Sequence, residues 1–206
     1  MYARSSHIHA RSSAIDAGTA YIHDTVWPAM TGLDGYVGLS LLADRLSGRC
    51  ILTTAWQSEE AMVGSRQWAG EMRDRIAEIL GGRPTVDEWE IAALHRDHHS
   101  MPGACVRVTW ARVDSEQVDR AVDGYRLATV PALCELDGFC SCSLLVDRDS
   151  GFGVASVTFD SVSALKRSRA ATDEMKAATV RDAGAEIVDE CEFDLVLAHL
   201  RVPEMA

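Results

Sequence analysis

Two segments of this chain have nearly the same sequence. Leu33–Gly48 reads LDGYVGLSLLADRLSG and Leu136–Gly151 reads LDGFCSCSLLVDRDSG, with ten of the sixteen positions identical at a constant offset of 103. Shared secondary-structure propensity does not produce so dense a match, so we infer that one unit was duplicated and fused. The chain is therefore constrained to fold as two copies of one unit, and its function must be interpreted from that unit.

The repeat extends over nearly the whole chain. The offset stays at 103 into the second helix, falls to 102 in the last segment because one residue is lost, and shifts by two residues upstream of the first helix. The corresponding pairs are Glu71-Met72 with Glu174-Met175, Asp87–Ile91 with Asp189–Phe193, and Ala10-Arg11 with Ala111-Arg112. We predict one domain at 1–96, a polar linker at 97–103 and a second domain at 104–206. A period near one hundred residues fits whole domains rather than solenoid units of about 20–50 residues.

Composition excludes several classes of protein. The 206 residues are 47% hydrophobic and carry a net charge of −11, which repels nucleic-acid phosphates. No apolar run approaches the roughly 18 residues that span a bilayer, and the N-terminal segment lacks the apolar core of a signal peptide, so we expect no membrane association and a cytoplasmic location. The six cysteines do not align between the copies, which predicts free thiols rather than a disulfide framework.

Each copy has the pattern of a ferredoxin-like unit, β-α-β-β-α-β. In the second copy we predict strands at 105–112, 139–147, 152–159 and 186–200, with helices at 115–133 and after Ser161. In the first copy we predict strands near 3–11, 36–44, 50–56 and 85–95, with helices at 14–31 and 58–80. On the second strand, the face predicted to pack under helices is Val37, Leu39 and Leu41, matched by Cys140, Cys142 and Leu144. Two sheets with helices on one face each are expected to cover each other, which predicts an α+β fold closed into one intramolecular barrel.

The end of the third strand and the helix after it resemble a known family. The segments TAWQSEEAM, at 54–62, and SVTFDSVSAL, at 156–165, are similar to antibiotic-biosynthesis-monooxygenase-like (ABM) domains of the dimeric α/β-barrel superfamily. The whole chain also resembles uncharacterised tandem-domain proteins of mycobacteria. The resemblance implies the barrel fold and, in some members, oxidation of small molecules without a cofactor. Homo-oligomers are compatible with it.

Trp56 and Phe159 are the aromatic residues at the end of the third strand, and they are candidates for a substrate-stacking role or for core packing. Haem-degrading relatives, as the resemblance implies, add an Asn on the first strand and a His on the second helix. This chain contains no Asn, and the helix positions carry Ser65 and Arg66 in the first copy and Ser168 and Arg169 in the second. Haem degradation is therefore disfavoured.

Acidic residues share a face of the last strand in each copy, namely Glu88 and Glu90 in the first and Glu190, Glu192 and Asp194 in the second. Arg107 has the parity to lie opposite Glu190 and Glu192. We expect these acids to look into the barrel or along an exposed edge, with the opposite face, which includes Trp89 and Phe193, packed under helices. A paired acid in a cavity can accept a proton, whereas carboxylates on an exposed edge block sheet aggregation.

Six of the seven histidines lie in the first copy or the linker. Since the first and fourth strands of such a sheet are neighbours, His95, His98 and His99 are expected near His7 and His9, where imidazoles can bind a transition metal. Solvated side chains are the simpler interpretation, so we expect no metal and no cofactor. Three functions stay open: a barrel that binds and oxidises a small apolar or aromatic molecule, a non-catalytic binding or stress-related protein, and a haem-handling protein.

Overall fold

The computed structural model describes residues 1–200 and confirms the β-α-β-β-α-β order in both copies. In the first copy the elements are β1 (Tyr2–His9), α1 (Ile15–Tyr21), α2 (Trp27–Met30), β2 (Tyr36–Ala43), β3 (Arg49–Trp56), α3 (Glu59–Gly64), α4 (Arg66–Leu80) and β4 (Thr85–Arg96). In the second they are β5 (Cys105–Arg112), α5 (Val118–Gly124), α6 (Val130–Cys134), β6 (Phe139–Asp147), β7 (Phe152–Phe159), α7 (Val162–Arg167), α8 (Arg169–Ala183) and β8 (Glu186–Leu200). The end of the predicted second domain, residues 201–206, lies outside the described residues.

Local sequence explains where these helices begin and break. The side chains of Ser58 and Ser161 accept a hydrogen bond from the backbone amide three residues on, which caps α3 and α7. A π-helical segment joins α1 to α2 and another joins α5 to α6, and in both copies a proline then occupies the first turn of the following helix. Val26 and Thr129, which precede these helices, are themselves helical, so each proline removes a backbone hydrogen bond from a continuous helical segment at the point where its hydrogen-bond pattern changes.

The hydrogen-bonded strand order is that of a closed, antiparallel eight-stranded barrel, β1-β3-β2-β8-β5-β7-β6-β4, which confirms the predicted α+β class. The central pairings repeat between the copies. Tyr2 lies opposite Trp56 in the β1–β3 pair, as Cys105 lies opposite Phe159 in the β5–β7 pair. Both strands are therefore related by an offset of 103, and the two-residue shift predicted upstream of the first helix is wrong.

The two compact units do not coincide with the two sequence copies. Unit 1 comprises Met1–Trp89 together with β8 from Asp194 onward, and unit 2 comprises Glu90–Phe193. The division follows from strand pairing, because β4 pairs with β6 from Glu90 onward while β8 pairs with β2 from Asp194 onward. Each sheet is thus completed by the end of the other copy's last strand. The domain boundaries at 96 and 104 describe the duplication and stay a prediction.

The core of unit 1 lies between its sheet and its helices. Leu39 and Leu41 pack there with helix residues such as Ile22 and Ile76, as predicted for that face of the second strand. In unit 2, Cys142 packs against Leu133 and Leu165, which confirms the same face in the second copy. No helix within residues 1–200 is long and apolar enough to cross a membrane. All six cysteines are free thiols, as predicted, and four of them are buried.

Candidate functional site

A buried arginine on the first strand of each copy organises a polar cluster beneath the helices. In unit 1, Arg4 is 3% exposed. Its Nη1 donates to Ser65 Oγ at 2.9 Å, its Nη2 to the Met62 carbonyl at 2.6 Å, and its Nε to Glu88 Oε1 at 2.9 Å. All three guanidinium nitrogens therefore have a partner, and one partner is Ser65, which the sequence analysis placed at the helix position of a haem ligand.

The counterpart in unit 2 is Arg107, which is 2% exposed. Its Nη2 donates to Glu192 Oε1 at 3.0 Å and to the Leu165 carbonyl at 2.9 Å, and its Nη1 donates to Thr172 Oγ1 at 2.6 Å and Ser168 Oγ at 3.3 Å. The predicted pairing of Arg107 with the acidic strand is therefore present. Its Nε, however, is buried and has no hydrogen-bond partner among residues 1–200. A buried donor that makes no hydrogen bond lowers the stability of the fold unless an acceptor binds to it.

The two clusters correct the alignment of the last strand. Glu88 binds Arg4 as Glu192 binds Arg107, so the equivalent acids are 104 residues apart rather than 102. One residue is gained between the helix and the last strand, not lost. The pattern Asp-Glu-x-Glu occurs in both strands. Because each pattern contains two glutamates, the two strands can be aligned in more than one register, and the sequence comparison paired Glu88 with Glu190 instead of Glu192.

The predicted orientation of the acidic strand is also wrong. Glu88 and Glu192 lie on the helix side of the sheet, where Arg66 and Arg169 of the helices bind them. Trp89, which was expected under the helices, is on the opposite face and donates from Nε1 to Ser5 Oγ at 2.7 Å. The physical reason is the buried arginine on the neighbouring strand, which requires its carboxylate on the same face.

The remaining two candidate acids have separate partners in unit 2. Glu90 pairs with Arg148 of the β6–β7 loop, with Nε to Oε2 at 2.5 Å. Glu190 pairs with Lys176 of α8 and accepts from Thr109 Oγ1 at 3.2 Å. Burial acts to raise the pKa of Glu190, but the hydrogen bond from Lys176 and the nearby positive charge outweigh it and lower the pKa. Glu190 is therefore an ionised partner of Lys176, which is the opposite of a raised-pKa proton acceptor.

The ion pairs predict a loss of stability in acid. Hydrogen bonds from Arg66 and Arg4 lower the pKa of Glu88 below its usual 4.5. Its contribution is complete above pH 4.5 and is lost as the pH falls through the lowered folded-state pKa, because the unfolded chain binds the proton first. We expect the urea midpoint of unfolding to fall between pH 6 and pH 3, and Glu88→Gln to flatten that fall. An unchanged profile in the variant would contradict the assignment.

Unit 2 contains a cavity of about 130 Å³ between its sheet and its helices. One part of the lining is polar, with Arg107, Thr109, Thr172 and Lys176. The rest is mostly apolar and includes Ala111, Val118, Val122, Tyr125, Leu133, Leu144, Phe152, Gly153, Ala155, Val157, Met175 and Thr179. Among residues 1–200, no carboxylate or imidazole is in this lining. The cavity thus combines an apolar chamber with a cationic end formed by Arg107 and Lys176.

Unit 1 has much less space at the equivalent place, about 30 Å³ beside Arg4. The difference in volume follows from side-chain size, because four positions carry a larger residue in unit 1 than in unit 2. These replacements, given by the shared strand register and helix bounds, are Ile8 by Ala111, Cys50 by Gly153, Leu52 by Ala155 and Ile76 by Thr179. The space beside the buried arginine is therefore filled by side chains in unit 1 and open in unit 2.

Trp56 and Phe159 are core residues, each 0% exposed. Trp56 donates from Nε1 to Thr54 Oγ1 at 3.1 Å, and Phe159 packs edge-on against Phe139. Neither residue lines the unit 2 cavity. Of the seven predicted pocket residues, Arg107 is the one that lines this cavity, and Glu190 and Glu192 bind side chains at its polar end.

The predicted histidine cluster does not form. His7 lies 3.5 Å from Asp87 in unit 1, and burial, the largest influence, lowers its pKa. His95 belongs to unit 2, where its Nε2 is 3.3 Å from Cys134 Sγ. The prediction failed because β4 is long enough to leave β1 after Trp89 and pair with β6. His9, at the end of β1, is exposed.

The polar residues that sequence reasoning missed are Thr172 and Lys176, together with Ser168 as a partner of the buried arginine. Thr172 and Lys176 lie on α8, and Ser168 directly precedes it. The sequence pattern of this segment predicted which side faces the core but did not predict a polar site there. The available signal was the comparison of the copies position by position, since Ala69 and Arg73 become Thr172 and Lys176 while nearby apolar residues shrink.

Comparison with known proteins shows close relatives. No family model matches the chain. The Mycobacterium tuberculosis protein Rv2557, described as uncharacterised, is 55% identical over 205 residues, which cover 100% of this chain and 92% of the relative. A second M. tuberculosis protein, Rv2558, also described as uncharacterised, is 48% identical over 206 residues, which cover 100% of this chain and 87% of the relative.

Solved structures show the same fold at low identity. A candidate monooxygenase of Fusobacterium nucleatum has a TM-score of 0.73 and 12% identity, covering 97% of this chain and 94% of that one. A candidate monooxygenase of Lactobacillus acidophilus has a TM-score of 0.71 and 8% identity, covering 97% and 96%. A Listeria monocytogenes protein described as related to antibiotic biosynthesis monooxygenases has a TM-score of 0.54 and 11% identity, covering 95% of both chains. At such identities the likeness shows the fold alone.

Proposed function

Because the chain belongs to the family of the mycobacterial proteins Rv2557 and Rv2558 and has an ABM-type barrel fold, we propose that its unit 2 binds a small aromatic or apolar molecule that carries an acceptor oxygen. The observation that carries this proposal is the cavity of about 130 Å³, whose largely apolar lining has a cationic end formed by Arg107 and Lys176. A ligand oxygen at that end would accept hydrogen bonds from these positively charged side chains.

The size and chemistry of the cavity narrow the ligand. An engineered apolar cavity of about 150 Å³ holds benzene, so a chamber of about 130 Å³ suits one ring. Tyr125, Phe152 and Met175 supply aromatic and polarisable contacts of the kind that pack against rings. Arg107 and Lys176 favour a ligand oxygen with negative charge or strong acceptor character, such as a phenol or a carbonyl.

Oxidation without a cofactor is the second candidate. It is favoured by the positive charge at Arg107 and Lys176, which would stabilise negative charge that develops on a ligand oxygen. For a hydroquinone the step balances as loss of two electrons and two protons, which reduce dioxygen to hydrogen peroxide and leave the quinone. The lining offers no carboxylate or imidazole to take those protons, so binding without catalysis is the better supported function.

A haem-handling role is the least supported of the three. The helix positions corresponding to a haem ligand are Ser65 and Ser168, and both hydroxyls accept from the buried arginines. A chamber of about 130 Å³ does not accommodate a porphyrin. The cytoplasmic location and the formation of homo-oligomers stay predictions.

Filling the cavity tests the binding function. Ala155→Leu copies Leu52 of unit 1 into the hollow copy, and we expect it to weaken phenol binding at least tenfold. Isothermal titration calorimetry with phenol and with benzene measures this, and the wild type should bind phenol more tightly because its oxygen accepts from Arg107. The added methyl groups are buried, so the variant should be no less stable than the wild type.

The matched control is Ala177→Leu, the same change at an exposed position of α8. It should leave phenol affinity unchanged. Equal affinities in all three proteins, or no phenol binding by the wild type, would refute the proposed site. Oxygen uptake with hydroquinone then separates the two functions, since oxidation requires uptake above the protein-free rate that Ala155→Leu abolishes.

A further inference from the structure

A second cluster in unit 2 lies apart from the cavity lining and combines three metal-binding side chains. His98 follows β4, Cys140 is the second residue of β6, and Asp160 follows β7. His98 Nε2 is 3.0 Å from Asp160 Oδ1, and Cys140 Sγ is 3.1 Å from the same oxygen. The three ligand atoms lie within 4.8 Å of one another. One ion can therefore contact all three atoms after small side-chain shifts.

Further hydrogen bonds hold the histidine ring and the cysteine strand of this cluster in place. The other ring nitrogen of His98, Nδ1, lies 2.8 Å from Asp97 Oδ2. A carboxylate on the second nitrogen of a ligating histidine fixes the ring orientation and raises its basicity. The backbone amides of Asp97 and His98 both donate to the Cys140 carbonyl, at 2.8 Å and 3.4 Å, which anchors the segment carrying the histidine to the strand carrying the cysteine.

Burial and sequence show that the cluster is specific to the second copy. Cys140 is 0% exposed, whereas the side chains of His98 and Asp160 are 40% and 42% exposed, so an ion would reach the thiol from the solvent side. In the first copy, the positions of Cys140 and Asp160 carry Val37 and Gln57, which are not metal ligands in this setting. Without a metal, burial raises the pKa of Cys140 to about 12, which keeps the thiol protonated.

We propose that His98, Cys140 and Asp160 form a site for a zinc-class divalent cation, with a fourth position open to solvent. One sulfur, one nitrogen and one carboxylate oxygen suit Zn²⁺, and three protein ligands with an open position are typical of reactive zinc sites. Binding displaces the proton of the Cys140 thiol to solvent, and the metal–thiolate bond replaces the hydrogen bond from Cys140 to Asp160. This site is independent of the proposed function of the cavity.

Cobalt(II) titration of the full-length metal-free protein tests the proposal, because a cobalt–thiolate bond gives a charge-transfer band in the near ultraviolet. We expect the band in the wild type, its loss on adding Zn²⁺, and its absence in Cys140→Val, which restores the residue of the first copy. Cys134→Ser is the matched control, since Cys134 lies beside His95 and is an exposed alternative thiol. It should keep the band at wild-type affinity.

A second variant keeps the test decisive if Cys140→Val does not fold. His98→Gln removes an exposed ligand and should weaken Co²⁺ binding at least tenfold, with an unchanged circular dichroism spectrum. No band in the wild type would overturn the proposal, as would a band that persists in both Cys140→Val and His98→Gln. Loss of the band in Cys134→Ser would assign the metal to the Cys134–His95 pair instead.

Discussion

Replacing Arg107 with methionine is expected to lower the free energy of unfolding by about 3 kcal/mol. Removing one partner of a buried polar cluster leaves the others unsatisfied, at a cost of about 1–3 kcal/mol for each neutral group and about 3–5 kcal/mol for a fully buried ion pair. Here the Leu165 carbonyl and Thr172 lose a donor, while Glu192 keeps Arg169 and is partly exposed. The expected loss is therefore at the lower end of the ion-pair range.

Urea denaturation measures this loss, and Arg169→Met is the matched control. Arg169 binds the same glutamate, but its side chain is 49% exposed. An exposed ion pair contributes less than about 1 kcal/mol, so the control should lose far less stability than Arg107→Met. Arg107→Met should also remove the preference for phenol over benzene. Equal losses in the two variants would show that burial of Arg107 is not what makes its contacts strong.

Truncating Trp56 to alanine is expected to lower the free energy of unfolding by about 3–5 kcal/mol, the usual cost of removing a large aromatic side chain from a core. Trp56 is fully buried, it contacts Tyr36 edge-on, and it belongs to the main apolar core of unit 1. Thermal and urea unfolding measure the effect. Trp56→Phe retains most of the packing and should cost clearly less.

Substitution of Trp56 also distinguishes a role in core packing from a role in ligand stacking. Because Trp56 does not line the unit 2 cavity, Trp56→Phe should bind phenol with wild-type affinity. Phe159→Leu is the companion variant in the second copy, since Phe159 is equally buried. A tenfold loss of phenol affinity in Trp56→Phe, with stability preserved, would restore the stacking role that the sequence suggested.

The sequence predicted the architecture well because the features that define it are local. Capping serines, hairpin turns and alternating strands depend on neighbours a few residues away, and the repeat doubled each signal. The orientation of β4 was mispredicted because a charged residue was assumed to avoid the helix layer. Arg4 and Arg107 reverse that preference, since each brings its glutamate beneath the helices.

The cavity was not predictable from either copy alone. Alanine, glycine and threonine at Ala111, Gly153 and Thr179 are ordinary residues for a strand or a helix. They indicate a hollow only when the register shows which larger residues they replace, and the register depends on long-range strand pairing. The cluster of His98, Cys140 and Asp160 was missed for a related reason, because the sequence analysis placed His98 near His7 and His9, whereas its neighbours come from two distant strands of the second copy.

The exchange of the last strands has a consequence for how this gene could have diverged after duplication. A change in β4 beyond Glu90 alters the sheet of unit 2, and a change in β8 beyond Asp194 alters the sheet of unit 1. The strands of the two copies are thus mutually dependent, and so are the cores beneath the helices, since Ala92 of β4 packs with Val118 and Val122 in unit 2. The two copies have nevertheless diverged in side-chain size, and the space beside the buried arginine is about 30 Å³ in unit 1 and about 130 Å³ in unit 2.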